Sequence, residues 1–152
     1  MNRIRPIAIC LFLHEGRFLV GEERQSDGSR FYRPVGGGIA FGESSEQALR
    51  REIREELGVE ILEPRLLGVI ENRFSHEGEM GHEIVFVYDA RFDDACLYAQ
   101  RTLEGYEVEI DARFRAVWLP LEALDVWPDP IYPQGLHDLV KRAAYKGAPS
   151  DS

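Results

Sequence analysis

The run from Gly37 to Val59, GGIAFGESSEQALRREIREELGV, constrains this chain more tightly than any other stretch. It reads as a loop, a capped helix and a stop. Gly36, Gly37 and Gly38 let the backbone enter conformations closed to other residues and let a ligand come close. Ser44, followed three places later by Gln47, is a capping-box signal for a helix start. Gly58 is a natural left-handed terminator. Between them Leu49, Ile53 and Leu57 recur every four residues and form one apolar stripe.

Glu52, Glu55 and Glu56 stand at i, i+3 and i+4, so their carboxylates converge on one helix face. A turn of about 100° per residue puts that acidic arc beside the apolar stripe, while Arg50 and Arg54 take the outer face. Such a placement is costly. Like charges at i,i+4 repel, and carboxylates in the last turns oppose the helix dipole. A bound divalent cation reverses the sign of both effects, and oxygen-only ligands suit Mg²⁺ or Mn²⁺. A plain solvated acidic helix, with Arg51 paired to Glu55 or Glu43, is the competing reading. The glycines just ahead and the arc's position beside the core favour the metal site.

These residues resemble the complete Nudix box: Gly37, Glu43, Arg51-Glu52-Ile53, Glu55-Glu56 and Gly58-Val59 fill every fixed position. Two neighbouring positions depart from the common pattern, Val35 where many members have Pro and Ala40 where many have Glu. The resemblance implies a Nudix-type α/β/α sandwich with a mixed sheet. It also implies a hydrolase of nucleoside diphosphates linked to a second group X, using Mg²⁺ or Mn²⁺. By the same resemblance Glu52, Glu55, Glu56 and the Gly37 carbonyl hold the metal. Arg51 then orients Glu55 or Glu43, and Glu56 or Glu55 is the general base. Glu104, Glu107 and Glu109 are outside candidates for the base.

With 152 residues the chain fits one domain, expected over 1–146, with 147–152 as a polar, disordered tail. A net charge of −9 argues against nucleic acid or anionic membrane as a partner, since both need a basic surface. It leaves room for a small nucleotide held through a metal. Cys10 and Cys96 define no disulfide framework, which fits a reduced, cytoplasmic setting. The apolar run Ile7 to Leu13 ends without a small-residue cleavage site and reads as a strand. Oligomeric state is open, a homodimer included.

In chain order, strands are expected over 4–13, 18–21, 31–35, 65–74, 82–92 and 113–119. Polar segments 22–30 and 76–81 read as loops, as does the acidic stretch 93–111, long enough to be functional. A short helix is expected over 121–126. A second amphipathic one is expected over 133–144, with Leu136, Leu139, Val140 and Ala143 on its apolar face. Strands before and after a central helix, then a C-terminal helix, give an α/β layout with helices on both faces of sheet.

Arg30, Arg33 and Arg73 are candidate phosphate contacts, with Arg24 and His82 near them. The three loops, with Phe31, Tyr32, Phe74 and Tyr106, are expected to read X and the base. The alternative from another class is a non-catalytic, nucleotide-binding Nudix-like regulatory module. An intact acidic arc disfavours it, because a pure binder need not keep every ligand.

Overall fold

In the computed structural model, which describes residues 2–108 and 110–146, the central helix forms as α1, Ser45–Leu57. Both halves of the capping box are made at Ser44, and Gly58 closes the helix with φ 70° and its N–H on the Arg54 carbonyl. Leu49 and Ile53 are fully buried and Leu57 packs beside them.

Four strands form a mixed sheet beside the helix. These are β1 (Ile4–Cys10), β5 (Val35–Gly38), β6 (Ile61–His76) and β7 (Glu79–Phe92), in the order β5-β1-β7-β6. β1 runs parallel to β7, and the other pairs are antiparallel. A second sheet is antiparallel throughout. It holds β2 (Leu13–His14), β3 (Arg17–Arg24), β4 (Arg30–Arg33), β8 (Thr102–Glu107) and β9 (Ala112–Pro120). Two helices follow, α2 (Ala123–Val126) and α3 (Leu136–Lys146).

Alternation along β1 serves two cores. Ala8 and Cys10 join Leu49, Ile53 and Tyr88 in the cluster under α1. Ile7 and Ile9 join Val85 and Val87 in a second cluster against Leu136, Leu139 and Val140 of α3. Helices therefore cover both faces of the mixed sheet, as the expected sandwich requires. Among the described residues no helix is long and apolar enough to cross a membrane.

Several segments differ from expectation. Val35–Gly38 is strand rather than loop, paired along β1 from Ile7↔Gly38 to Cys10↔Val35. A side chain at Gly36 would strike the Ala8 carbonyl, so glycine lets this strand lie against β1. The stretch 93–111 is not one loop. It contains a 3₁₀ turn, Ala95–Ala99, and β8, where Leu103 and Gly105 point inward between exposed neighbours. The β6–β7 hairpin is also tighter than expected, with Glu77 and Gly78 alone between the strands. α3 starts at Leu136, three residues after Pro133. The Ala143 side chain and the tail 147–152 lie outside the described residues.

Burial makes a direct expectation. Leu49→Ala removes a side chain with no exposed surface and should cost roughly 2–5 kcal/mol in urea unfolding. Ser44→Ala, which removes the cap, should cost about 1 kcal/mol. A Leu49→Ala loss no larger than the cap's would contradict the seating of α1.

Candidate functional site

Seating α1 through Leu49 and Ile53 turns Glu52 inward against β5. Glu52 is 8% exposed, and a Cβ built at Gly37 would lie 2.5 Å from its carboxyl carbon. Only glycine leaves room for that carboxylate at this position. The contact joins the helix face to the backbone of the glycine strand.

Arg51 ties the surrounding groups together. Its Nε and Nη2 donate to the two Glu43 oxygens at 2.7 and 2.8 Å, a bidentate pair. Nη2 also donates to the Gly38 carbonyl at 2.9 Å, and Nη1 donates to Glu52 at 3.0 Å and Glu55 at 3.4 Å. Glu43 accepts the Ala40 N–H as well, at 2.9 Å. Its carboxyl is pulled down to about 2, first by the Arg51 hydrogen bonds and then by the Ala40 N–H. Arg51 thus fixes the loop before α1, the helix and β5 in one geometry.

These residues open onto a cleft of roughly 220 Å³. Six glutamates line it, Glu23, Glu52, Glu55, Glu56, Glu83 and Glu107, against two arginines, Arg5 and Arg33. Crowding shows in their acidity. Burial, then the neighbouring Glu52 charge, pushes Glu56 up to about 10. Burial, then Glu107, pushes Glu23 up to about 7. Glu52 is raised by burial, against the pull of its Arg51 hydrogen bond. Burial and mutual repulsion therefore favour one proton between Glu52 and Glu56, one helical turn apart. Arg33 works the other way on both Glu56 and Glu23.

The sequence candidates divide. Glu52, Glu55, Glu56, Gly37 and Arg33 meet in the cleft, and Glu107 of β8 joins them. Arg30 instead donates to Glu22 at 2.9 Å, where Arg115 also bonds. Arg73 is exposed on the strand face opposite buried Asn72. His82 pairs with Glu71 at 2.8 Å, and Arg24 donates to the Gly28 carbonyl. Glu104 is exposed opposite Arg115, and Glu109 lies outside the described residues. Arg5, Glu23 and Glu83 complete the cleft and were not among the sequence candidates. Arg5 shares its side of β1 with Ile7 and Ile9, a signal the alternation carries. Glu23 belongs to a strand that runs past Gly21, its expected end.

The donor set suits a hard divalent cation: carboxylates and backbone carbonyls, with no sulfur among the lining residues. The space at Gly37 and the proton on the Glu52–Glu56 pair point the same way, since a cation can take the proton's place. Among the described residues no three acidic, His or Cys side chains already stand at metal-binding spacing. Arg51 hydrogen bonds hold Glu52 and Glu55 in their present positions.

Comparison with known proteins agrees with this geometry. A family model for the NUDIX domain matches residues 2–139. The chain is 27% identical over 128 residues to the oxidized purine nucleoside triphosphate hydrolase of Danio rerio, covering 82% of this chain and 74% of that protein. To the Mus musculus protein of the same name it is 24% identical over 135 residues, covering 87% and 78%. Among solved structures, a MutT NUDIX hydrolase from Burkholderia pseudomallei is 26% identical with a TM-score of 0.63, covering 92% of this chain and 98% of that one. An ADP compounds hydrolase shares the fold at 16% identity with a TM-score of 0.67, covering 96% and 76%.

The shared proton has a consequence for stability. A carboxyl whose pKa is raised on folding contributes stability that is complete below its unfolded value and is lost as pH rises toward the folded value. In chelator, the Glu52–Glu56 pair should therefore cost the fold increasingly between pH 4.5 and about 10. Glu56→Gln carries no such titration. Its melting temperature should match the parent's at the acid end and exceed it by a margin that widens with pH. A margin independent of pH would contradict the shared proton.

Proposed function

The chain belongs to the NUDIX family and is a hydrolase acting on pyrophosphate bonds, and from that premise we propose a divalent-metal-dependent enzyme that cleaves a purine nucleoside triphosphate or a related nucleoside diphosphate linked to X. Nudix hydrolases generally use divalent metals. The single observation that carries the metal reading is the Glu52–Glu56 pair, pressed against Gly37 and short of positive charge. The purine triphosphate reading draws on the names of the two vertebrate relatives.

In this reading Glu52, Glu55, Glu56 and the Gly37 carbonyl hold the cation. Bound there, it neutralises phosphate charge and acidifies water. Arg33 and Arg5, the two cationic residues lining the cleft, face the phosphates. Arg51 positions Glu52 and Glu55 through its hydrogen bonds. Water attacks one phosphorus of the anhydride, and its proton passes to the Glu56 carboxylate. The bridging P–O bond breaks, and the leaving phosphate oxygen takes the electron pair. Glu107, beside Glu56, adds negative charge that favours proton uptake there. The free thiols Cys10 and Cys96 fit a reducing, cytoplasmic compartment.

Turnover of purine nucleoside triphosphates should vanish in excess chelator and return with Mg²⁺ or Mn²⁺. With metal present, Glu56→Gln should lower kcat by about a hundredfold to ten-thousandfold, because an amide is a poor ligand for a hard cation and no base. Arg54→Gln, whose side chain pairs with Glu60 at 2.6 Å on the outer face, should leave turnover near the parent's. Full activity in chelator, or a Glu56→Gln enzyme as fast as the parent, would overturn the assignment.

A further inference from the structure

α1 covers only part of the sheet face it packs on. It lies mainly over β5 and β1 and reaches across to β8. Its first residue, Ser45, meets the Tyr88 hydroxyl of β7 at 2.5 Å. Opposed residues of neighbouring strands share a face, so the pairing carries this face on beyond the helix. From Tyr88 it continues through Phe86 and Ile84 on β7, with Leu66 and Val69 alongside on β6 and Pro6 and Ile4 on β1. Leu66 and Val69 are 48% and 51% exposed, and Ile4 and Pro6 are exposed too. A sheet face that meets water carries polar side chains at such positions, whereas this one gathers six apolar ones. α3 does not cover them, because it packs on the opposite face against Ile7, Ile9, Val85 and Val87.

The loop between β5 and α1 borders this open face. The Ile39 N–H on the Pro6 carbonyl fixes one end of the loop, and Ser45 on Tyr88 fixes the other. The loop therefore crosses from β1 to β7 along the margin of the face. Phe41, midway along it, is fully exposed. An apolar knob thus stands beside an apolar surface. The charges on the face are of both signs. Glu71 and Arg73 lie one pleat apart on β6, both exposed, and His82 opposite Arg73 bonds Glu71 at 2.8 Å.

We propose that a second copy of this chain covers the face, in a two-fold dimer that packs the two open faces together and seats each Phe41 on the partner's sheet. An exposed apolar patch of this kind marks an interaction surface. Charge argues for a like copy as the occupant. A chain of net charge −9 repels its own copy in most orientations. On this face each copy offers a carboxylate and a guanidinium, so a two-fold pairing can match Glu71 with Arg73 twice. A purely acidic or purely basic partner would leave one of the two opposed by a like charge. The knob and the surface that receives it are likewise present on every copy, which is the self-complementarity that a two-fold interface needs.

Sedimentation equilibrium over a concentration series tests this. The parent should dimerise with a Kd of about 1 μM or tighter. Val69→Asp and Phe41→Asp each put a charge into the buried surface and should raise Kd by about thirtyfold or more, as loss of a central interface contact does. Both side chains are exposed within one copy, so both variants should keep the parent's circular dichroism and melt cooperatively. Val126→Asp alters an exposed apolar residue of α2, away from this face, and should leave Kd at the parent's value. A parent that stays monomeric throughout the series overturns the proposal and leaves the face to a different occupant. A dimer that survives both Val69→Asp and Phe41→Asp, or that Val126→Asp weakens as much, places the interface elsewhere and overturns it too.

Discussion

The structure depends on one unfavourable contact, the approach of Glu52 to Glu56 at the buried edge of α1. The apolar stripe forces it. Seating Leu49 and Ile53 under the mixed sheet leaves Glu52 nowhere to go but against Gly37. Glu56 follows one turn later and must give up its charge or find a counter-charge. Arg51 does not serve both, because its donors go to Glu43, the Gly38 carbonyl, Glu52 and Glu55. What remains is a proton or a cation.

That conflict was legible in the sequence because every signal for it is local. Ser44, Gln47 and Gly58 fix the ends of α1, and helical geometry then places Glu52, Glu55 and Glu56 beside Leu49, Ile53 and Leu57. The rest of the cleft is tertiary. Arg5, Glu23 and Glu107 come from three strands; alternation with Ile7 and Ile9 gives the side of β1 that Arg5 takes, and only tertiary packing brings the three to one cleft. β5 was hidden because a run of glycines has no side-chain period, and only pairing with β1 makes it a strand. β8 was hidden because its exposed Glu104 and Tyr106 alternate with Leu103 and Gly105, and a glycine does not register as an inward residue. Arg30 and Arg73 show the converse. Their residue type suits phosphate, but strand alternation and the pull of Glu22 place them elsewhere.

The same two-residue alternation divides the site into halves with different tasks. On one side α1 meets the glycine strand, and carboxylates gather around backbone oxygen. On the other, the row Arg5, Glu83 and Asn72 crosses the sheet where the second core would otherwise continue. Arg33 and Phe31 stand between the halves.

The central claim is that a cation replaces the proton that Glu52 and Glu56 share. Proton release on Mn²⁺ binding tests it most directly, measured near pH 8 by calorimetry in buffers of different ionisation enthalpy. Binding to the parent should release about one proton, because a metal takes deprotonated ligands. Glu56→Gln should bind more weakly and release close to none. Tight binding to the parent with no proton released, or equal release from the variant, would contradict the account.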